Sequence, residues 1–331
     1  MKKPSDYLKY ALILCIATAG NYFFNICIIK RYISFGHYKL NIVGHLKPVL
    51  ILLASSIATE LYLTLDSIML EYFYGSANVA YYTNATKIVR TLYTVVIAVV
   101  ATFYPRIAYH LQKGENDESN FLVNRAFKII ILLGVPCIIG LAGTAENIVL
   151  ILFGSEYTPS INVLKMASIL ILVFSIAYIL GHVILISVGK ENAILRATIV
   201  GAIINAILNY ILIPRLQQDG AIVASISAEI VVTAVLLVSS HKYYHLEFNK
   251  KYYGSIIIAS VAMAVEIVIM TQLLEPVLSN AARFIIVVLI SVVFYFGLLL
   301  IVKNEIVITS LKVVSKNVKR FCSSLNHGEN G

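Results

Sequence analysis

Long apolar runs alternate with short polar segments along almost the whole chain. A helix needs about 20 predominantly apolar residues to cross the hydrocarbon core of a bilayer. Nine runs reach roughly this length. They cover residues 8–29 (A), 48–70 (B), 86–105 (C), 122–143 (D), 162–187 (E), 195–213 (F), 220–238 (G), 253–273 (H) and 282–302 (I). The pattern predicts about nine transmembrane helices.

The composition supports a membrane protein and excludes several other classes. Of the 331 residues, 59% are hydrophobic and 13% are charged, and the mean hydropathy is +0.85. A water-soluble protein of this size cannot bury so much apolar surface and still cover its exterior with polar groups. Because lipid-exposed backbone must satisfy its own hydrogen bonds, the predicted fold class is all-α, a polytopic membrane protein. A secreted disulfide scaffold and a soluble enzyme are excluded.

The basic residues are distributed unevenly between the two predicted sides of the membrane. Most Lys and Arg residues lie in the loops after A, C, E and G or in the C-terminal tail, whereas the loops after B, D, F and H contain only Arg215, with Arg283 at the boundary between the H–I loop and span I. Basic loops face the cytoplasm, so the C-terminus is predicted to be cytoplasmic. The net charge of +9 then reflects topology, and we expect no nucleic-acid partner.

Signatures of catalysis and of metal binding are missing from the sequence. It contains no G-x-S-x-G, Walker A or H-E-x-x-H motif, and its four cysteines lack metal-ligand spacing. We therefore expect a protein that is not an enzyme and that needs no metal or other cofactor.

Ionisable residues in spans B and C are the first candidates for function, because a charged group in a transmembrane helix costs free energy. Span B contains Glu60 and Asp66, and span C begins with Lys87 and Arg90, which share one helix face. Asp66 can meet either cation across the short B–C turn. One interpretation is a structural ion pair. The other is a water-filled cavity whose cations hold an anionic substrate, since guanidinium groups suit phosphate.

Two further carboxylates lie closer to the predicted bilayer centre, Glu229 in span G and Glu266 in span H. Burial disfavours the charged form of such a group, which makes it either a proton or sodium site or a protonated hydrogen-bonding partner of another helix. We take Glu229 and Glu60 as candidates for ion coupling and expect a structural role for Glu266. Asn205 and Asn209, one helical turn apart in span F, are expected to bond between helices.

Three segments carry motifs in a recognisable order. Residues 63–108 combine an aspartate near a helix end, a turn, a basic helix start and a closing Pro-Arg; residues 146–169 form an amphipathic segment; and residues 201–230 contain an Asn-bearing helix, an Ile-Pro turn and a Gly-Ala restart. The positions involved are Asp66, Gly75, Tyr81, Tyr82, Lys87, Arg90, Pro105, Arg106, Asn205, Asn209, Pro214, Gly220 and Ala221. This arrangement resembles the Wzx-type polysaccharide and O-antigen flippases of the multidrug/oligosaccharidyl-lipid/polysaccharide exporter superfamily.

The resemblance implies a function. Such proteins move polyprenyl-diphosphate-linked oligosaccharide across the bacterial cytoplasmic (inner) membrane, by alternating access between two lobes, for surface polysaccharide synthesis. It implies that Lys87 and Arg90 contact the diphosphate and that Asp66 is a cavity carboxylate that gates or pairs with them. The implied partners are the lipid-linked oligosaccharide, membrane lipid, H⁺ or Na⁺, and the glycan polymerase and ligase machinery.

The resemblance also implies a domain organisation. Residues 1–47 correspond to the last helix of an N-terminal lobe and a cytoplasmic loop, and residues 48–240 to a six-helix C-terminal lobe. Residues 241–302 correspond to an extra helix pair and residues 303–331 to a basic cytoplasmic tail. We expect the family's first helices to be missing before span A, which would explain why a lysine-rich start lies on the predicted outer side.

Three alternatives stay open beside this interpretation. They are an ion-coupled multidrug exporter of the same fold, a membrane glycan polymerase or glycosyltransferase, and an inactive truncated remnant. The cations Lys87 and Arg90 disfavour a cationic drug. A polymerase would be expected to need a long extramembrane loop, which the sequence does not contain.

Overall fold

The computed structural model describes residues 6–29, 46, 50, 53, 57, 60 and 64–311. The chain divides into two compact units, Met1–Ile51 and Leu52–Gly331. In the first unit, helix α1 spans Asp6–Ile29 and contains the apolar stretch Cys15–Ile29, within predicted span A. Its described side chains are exposed, including 71% of Phe23.

The second unit contains the other helices. Helix α2 is described over residues 64–74, and residues 305–311 are also helical. Between them lie α3 (Ser76–Ala101), α4 (Tyr104–Lys113), α5 (Asn116–Gly143), α6 (Ala145–Leu152), α7 (Ser160–Ala167), α8 (Leu170–Tyr178) with a π-helical extension (Ile179–Leu185), α9 (Glu191–Ser240), α10 (Lys250–Leu274) and α11 (Asn280–Ile301). Short 3₁₀ turns lie at Ser155–Tyr157 and His241–Tyr243. Within the described ranges all regular structure is helical.

The predicted fold class, a polytopic all-α membrane protein, is confirmed. Among the described residues, six helical segments are long and apolar enough to cross a membrane. They contain the predicted spans C to I, with F and G together in one segment, Glu191–Tyr243. Much of predicted span B lies outside the described residues.

Helix α9 is a hairpin of two antiparallel halves. Gln217 has non-helical backbone angles (φ 55°, ψ −132°) at the point where the chain reverses. Two glycines allow the halves to approach closely. A Cβ on Gly220 would lie 2.5 Å from the carbonyl oxygen of Leu212, and a Cβ on Gly201 would overlap Val232. Spans F and G are therefore separate antiparallel helices, as predicted.

The structure changes two details of the predicted pattern. Helix α3 begins at Ser76, well before the predicted start of span C at residue 86, because polar residues of its first turns are tolerated where they face other helices. The segments 106–121 and 144–161, expected as loops, are largely helical. They contain most of α4 and all of α6.

Polar contacts join the last two helices to each other and to α5. The Ser291 hydroxyl of α11 donates to Oε2 of Glu266 in α10 at 2.6 Å. The Tyr295 hydroxyl donates to the carbonyl oxygen of Leu132 in α5 at 2.8 Å. Glu266 thus has an interhelical partner, consistent with the structural role expected for it.

Candidate functional site

A buried carboxylate, Asp66, is the centre of a hydrogen-bond network that joins α2, α3 and α9. Asp66 is 4% exposed. Its Oδ2 accepts hydrogen bonds from the hydroxyls of Tyr82 and of Ser225, the latter at 2.5 Å. Its Oδ1 accepts from the amide nitrogens of Asn205 at 3.0 Å and Asn209 at 2.5 Å. Four uncharged donors thus surround one carboxylate; we call these five residues the Asp66 network.

The hairpin of α9 explains how these donors converge. Asn205 and Asn209 lie one turn apart and therefore on one face of the first half, and Nδ2 of Asn209 also donates to Oδ1 of Asn205 at 3.0 Å. Ser225 comes from the second half, which packs closely on the first at Gly201 and Gly220. The fold thus brings residues far apart in sequence to one carboxylate.

One acceptor of the network lacks a partner. Oδ1 of Asn209 is buried and has no hydrogen-bond partner among the described residues. A buried amide oxygen without a donor loses free energy, so this position offers an oxygen to a proton donor or a cation.

A small cavity opens beside the network. Its lining includes Asp66, Tyr82 and Ser225, together with Arg90 from α3 and Glu229 from the second half of α9. The cavity volume of about 20 Å³ accommodates roughly one water molecule. Glu229 is 8% exposed, whereas Arg90 is exposed as a residue.

The structure brings three of the five candidate residues to this cavity: Asp66, Arg90 and Glu229. Lys87 is exposed and is not among the lining residues. Glu60 is also exposed and lies outside the cavity lining. Asp66 contacts α3 through the hydroxyl of Tyr82, five residues before Lys87. Arg90 lines the same cavity as Asp66.

Two network residues have no strong signal in the sequence. Tyr82 reads as one of many tyrosines at span ends, and Ser225 as one of several serines in an apolar helix. The i, i+4 pair of Asn205 and Asn209 does indicate a polar contact between helices, but not its partner. Only the hairpin geometry identifies that partner as Asp66.

A brace at the predicted outer side holds the turn between α2 and α3 against the reversal in α9. The Tyr74 hydroxyl donates to the carbonyl oxygen of Pro214 at 2.6 Å. The Asn78 amide donates to the side chains of Gln217 at 3.1 Å and Gln218 at 2.7 Å. These bonds fix α2 and α3 relative to α9 close to the Asp66 network.

A second cavity, a groove of about 630 Å³, lies between α3, α5, α6, α10 and α11. Its lining is almost entirely apolar and includes Leu133, Ile148, Phe284 and Phe296. We call it the apolar groove. Ile88 and Leu92 line it from α3, the helix whose Arg90 lines the Asp66 cavity. The two cavities are thus bordered by a common helix.

Comparison with protein families supports the predicted resemblance. Residues 9–162 match a family model described as "Polysaccharide biosynthesis protein". The match includes Asp66, Lys87 and Arg90.

Individual relatives are similar over part of the chain. A protein of Haloferax volcanii named "Probable low-salt glycan biosynthesis flippase Agl15" is 25% identical over 210 residues, which are 63% of this chain and 44% of the relative. Lipid II flippase MurJ of Bacillus subtilis is 27% identical over 127 residues, 38% of this chain and 23% of MurJ. This chain spans about half the length, or less, of the curated relatives it matches.

The fold also matches a solved structure. The inward closed conformation of the lipid II flippase MurJ superposes with a TM-score of 0.67 at 18% sequence identity, over 85% of this chain and 59% of that one. At this identity the match shows the fold. The sequence and fold comparisons together confirm the resemblance: this chain is a multi-pass membrane protein with a MurJ-like fold, and its sequence is similar to a polysaccharide biosynthesis family and to named glycan flippases.

Proposed function

We propose that this chain supplies one lobe of a transporter that moves polyprenyl-diphosphate-linked oligosaccharide across the cytoplasmic membrane by alternating access, for surface polysaccharide synthesis. It acts as a transporter and not as an enzyme. The names of the flippase relatives support this proposal. The C-terminal tail then lies in the cytoplasm, and polymerase and ligase machinery consumes the product on the outer side.

The observation that carries the proposal is the surroundings of Arg90. The nearby carboxylate of Asp66 already accepts hydrogen bonds from four uncharged donors, so Asp66 does not need the guanidinium as a hydrogen-bond donor. Arg90 lines a cavity together with the carboxylates of Asp66 and Glu229, within an apolar bundle, and is also exposed. A guanidinium in this setting suits phosphate, which it binds with two parallel hydrogen bonds.

Lys87 has a supporting role in this proposal. It lies three residues before Arg90, on the same face of α3, and it is exposed. A lysine ammonium is a flexible point charge, so Lys87 attracts the diphosphate while Arg90 fixes its orientation.

The apolar groove supports a lipid-linked substrate. Its wall includes Ile88 and Leu92 of α3, beside Arg90 in the sequence. Residues two positions apart in a helix point in roughly opposite directions, so Arg90 and the groove lie on opposite sides of α3. A substrate with its phosphates at Arg90 would reach the groove by passing its polyprenyl chain around this helix.

Ion coupling through the Asp66 cavity belongs to the same proposal. Asp66 and Glu229 line one cavity that is large enough for about one water molecule. Carboxylate, amide and hydroxyl oxygens are suitable ligands for a proton or a hard cation such as Na⁺. Exchange of H⁺ or Na⁺ in this cavity would change the charge beside Arg90 and thereby its affinity for phosphate.

The experiment that tests the function is deletion of the coding region in the source cell. We expect surface polysaccharide to be lost and lipid-linked oligosaccharide to accumulate on the cytoplasmic side, and expression of the wild-type gene to restore both. An unchanged surface, with no accumulation, would contradict the proposal.

A further inference from the structure

We propose a second site for a lipid phosphate, formed by Arg283 and Asn147 at the end of the apolar groove, which holds the polyprenyl-linked substrate after it has crossed the membrane. This inference rests on the proposed function and adds a release site to it. Arg283 belongs to the first turn of α11, and Asn147 belongs to α6, the short helix packed against it.

Arg283 is buried and held in place by neutral amides. Its side chain is 10% exposed, and its Nη2 donates to Oδ1 of Asn280 at 2.8 Å. Asn147 is 5% exposed. With its amide oxygen turned toward the guanidinium, Asn147 accepts hydrogen bonds from Nε of Arg283 at 3.0 Å and from Nη2 at 3.2 Å. These contacts fix the plane of the guanidinium group, but because the amides are uncharged they do not neutralise its positive charge.

The carboxylate that pairs with Arg283 compensates that charge only weakly. Oε1 of Glu275 lies 3.7 Å from Nη1, and the Glu275 side chain is 70% exposed. Solvent screens an ion pair with such an exposed partner. The two asparagines take Nε–H and both N–H groups of Nη2, so an anion such as phosphate would bind at the two N–H groups of Nη1, in competition with this screened carboxylate.

The residues that follow this pair in the sequence line the apolar groove. Phe284 follows Arg283, Ile148 follows Asn147, and both Phe284 and Ile148 line the groove. Along α11 the lining extends to Phe296, a distance of about 18 Å at roughly 1.5 Å per residue. This length is a little more than half of the approximately 30 Å hydrocarbon core. A lipid with its phosphate at Arg283 would therefore have an apolar chain path about one leaflet deep.

The position of the site favours the transported lipid as its occupant. Arg283 lies in the first turn of α11, at the end of that helix predicted to face outward. The groove also contacts α3 through Ile88 and Leu92, so it lies next to the helix that carries the first phosphate contact, Arg90. Arg90 lies on the opposite face of α3 from Ile88 and Leu92. A substrate that leaves Arg90 would therefore bring its phosphate to Arg283, and its chain into the groove, by passing around this helix.

A photo-crosslinking experiment tests the site without requiring transport. The probe is a long-chain polyprenyl phosphate with a diazirine close to the phosphate, added to the purified full chain in phosphatidylcholine nanodiscs. We expect labelling of peptides that contain Asn147 and Arg283. Because hydrogen bonds to charged groups are among the strongest in proteins, Arg283→Gln should reduce this labelling about tenfold, with partial recovery in Arg283→Lys.

A matched control removes the other basic residue of the predicted outer loops. Arg215 is exposed and lies in the reversal of α9, away from the groove lining, so Arg215→Gln should label like the wild type. A competition experiment on the wild-type chain provides a second test if Arg283→Gln does not fold. Unlabelled polyprenyl phosphate should displace the probe about tenfold more effectively than neutral polyprenol.

Three results would overturn the site. Unchanged labelling in a folded Arg283→Gln protein would reduce Arg283 to a structural clasp between α6 and α11, and equal competition by polyprenol would exclude phosphate recognition. Equal displacement by phosphatidylglycerol would assign the site to bilayer phospholipid. The proposed function is tested separately. A protein that labels at Arg283 but does not restore export would support the site and contradict the proposed function. A protein that restores export but does not label at Arg283 would support the function and contradict the site.

Discussion

The Asp66 network and the apolar groove are two cavities of one helical bundle, separated by α3, and they are built in opposite ways. In the network, one carboxylate accepts four hydrogen bonds from α3 and both halves of α9. In the groove, apolar side chains from five helices surround about 630 Å³. The first cavity has room for roughly one water molecule, the second for part of a lipid.

The network is a part of the molecule in which the helices are held in fixed positions, whereas the groove is a part whose contents can be exchanged. Hydrogen bonds to a charged group contribute about 1.5–3 kcal/mol each and have strict geometry, so the network holds α2, α3 and α9 in register. The groove wall makes non-directional apolar contacts, and its contents can slide or exchange without breaking hydrogen bonds. In a transporter, the network suits the binding of an ion and the groove suits the passage of a chain.

The largest expected difference between the two regions is in the free energy of unfolding when one glycine in each is replaced by alanine. Gly220→Ala places a Cβ 2.5 Å from the backbone oxygen of Leu212, which cannot move without opening the α9 hairpin. We expect a loss of about 3 kcal/mol in the free energy of unfolding. Gly140 lines the groove and has no atom within 4 Å of a built Cβ. Gly140→Ala should therefore be neutral or stabilising by up to about 1 kcal/mol.

Chemical denaturation of both variants in detergent micelles checks this contrast. If Gly220→Ala unfolded at the wild-type denaturant concentration, the close approach of the two α9 halves would not be required. If Gly140→Ala were the more damaging change, the groove would be the more rigid region and the comparison would be reversed.

The next effect concerns ion coupling and compares two carboxylates. Glu229 lines the Asp66 cavity and Glu60 does not. In Glu229→Gln the side chain can no longer exchange a proton or offer a carboxylate to Na⁺, so we expect transport to lose most of its dependence on the coupling ion. Glu60→Gln should keep the wild-type dependence. Transport measured across a series of pH values and Na⁺ concentrations checks this, and the opposite result would place coupling at Glu60.

The smallest effect concerns the outer brace. Tyr74→Phe removes one hydrogen bond, to the carbonyl oxygen of Pro214, and should lower the free energy of unfolding by about 1 kcal/mol. Tyr72 is 83% exposed and serves as the control, since Tyr72→Phe should have no measurable effect. Equal stability of the two variants would show that the brace does not hold α2 and α3 against α9.

Much of the fold follows from the sequence, because apolar length is a strong signal for membrane helices. Spans C to I all lie in helices, and the break between F and G was expected close to Gln217, where Pro214 and Gly220 flank it. Helix starts were harder to predict. The polar residues around Tyr82 were predicted to lie in a loop before span C, although they belong to α3, whose first turns face other helices and a cavity.

The site was partly predictable for a different reason. A carboxylate or an arginine in a membrane helix is conspicuous by its cost, so Asp66, Arg90 and Glu229 could be selected from the sequence. Placing an uncharged tyrosine or serine in such a helix costs little free energy, so Tyr82 and Ser225 give no comparable signal in the sequence. The partner of Asp66 was expected to be a cation, whereas the tertiary structure supplies uncharged donors. Contacts between residues more than a hundred positions apart, such as Ser225 and Asp66, depend on the packing of the α9 hairpin.

The most direct test of the central claim is export by Arg90 variants in the deletion strain, with surface polysaccharide and retained lipid-linked oligosaccharide measured together. The account predicts that Arg90→Ala inserts into the membrane at wild-type levels, abolishes surface polysaccharide and accumulates the lipid-linked precursor. Arg90→Lys, which keeps the charge but loses the two-pronged donor geometry, should restore part of the export, and Arg215→Ala all of it. Wild-type export by a well-expressed Arg90→Ala protein would contradict the claim that Arg90 holds the phosphate.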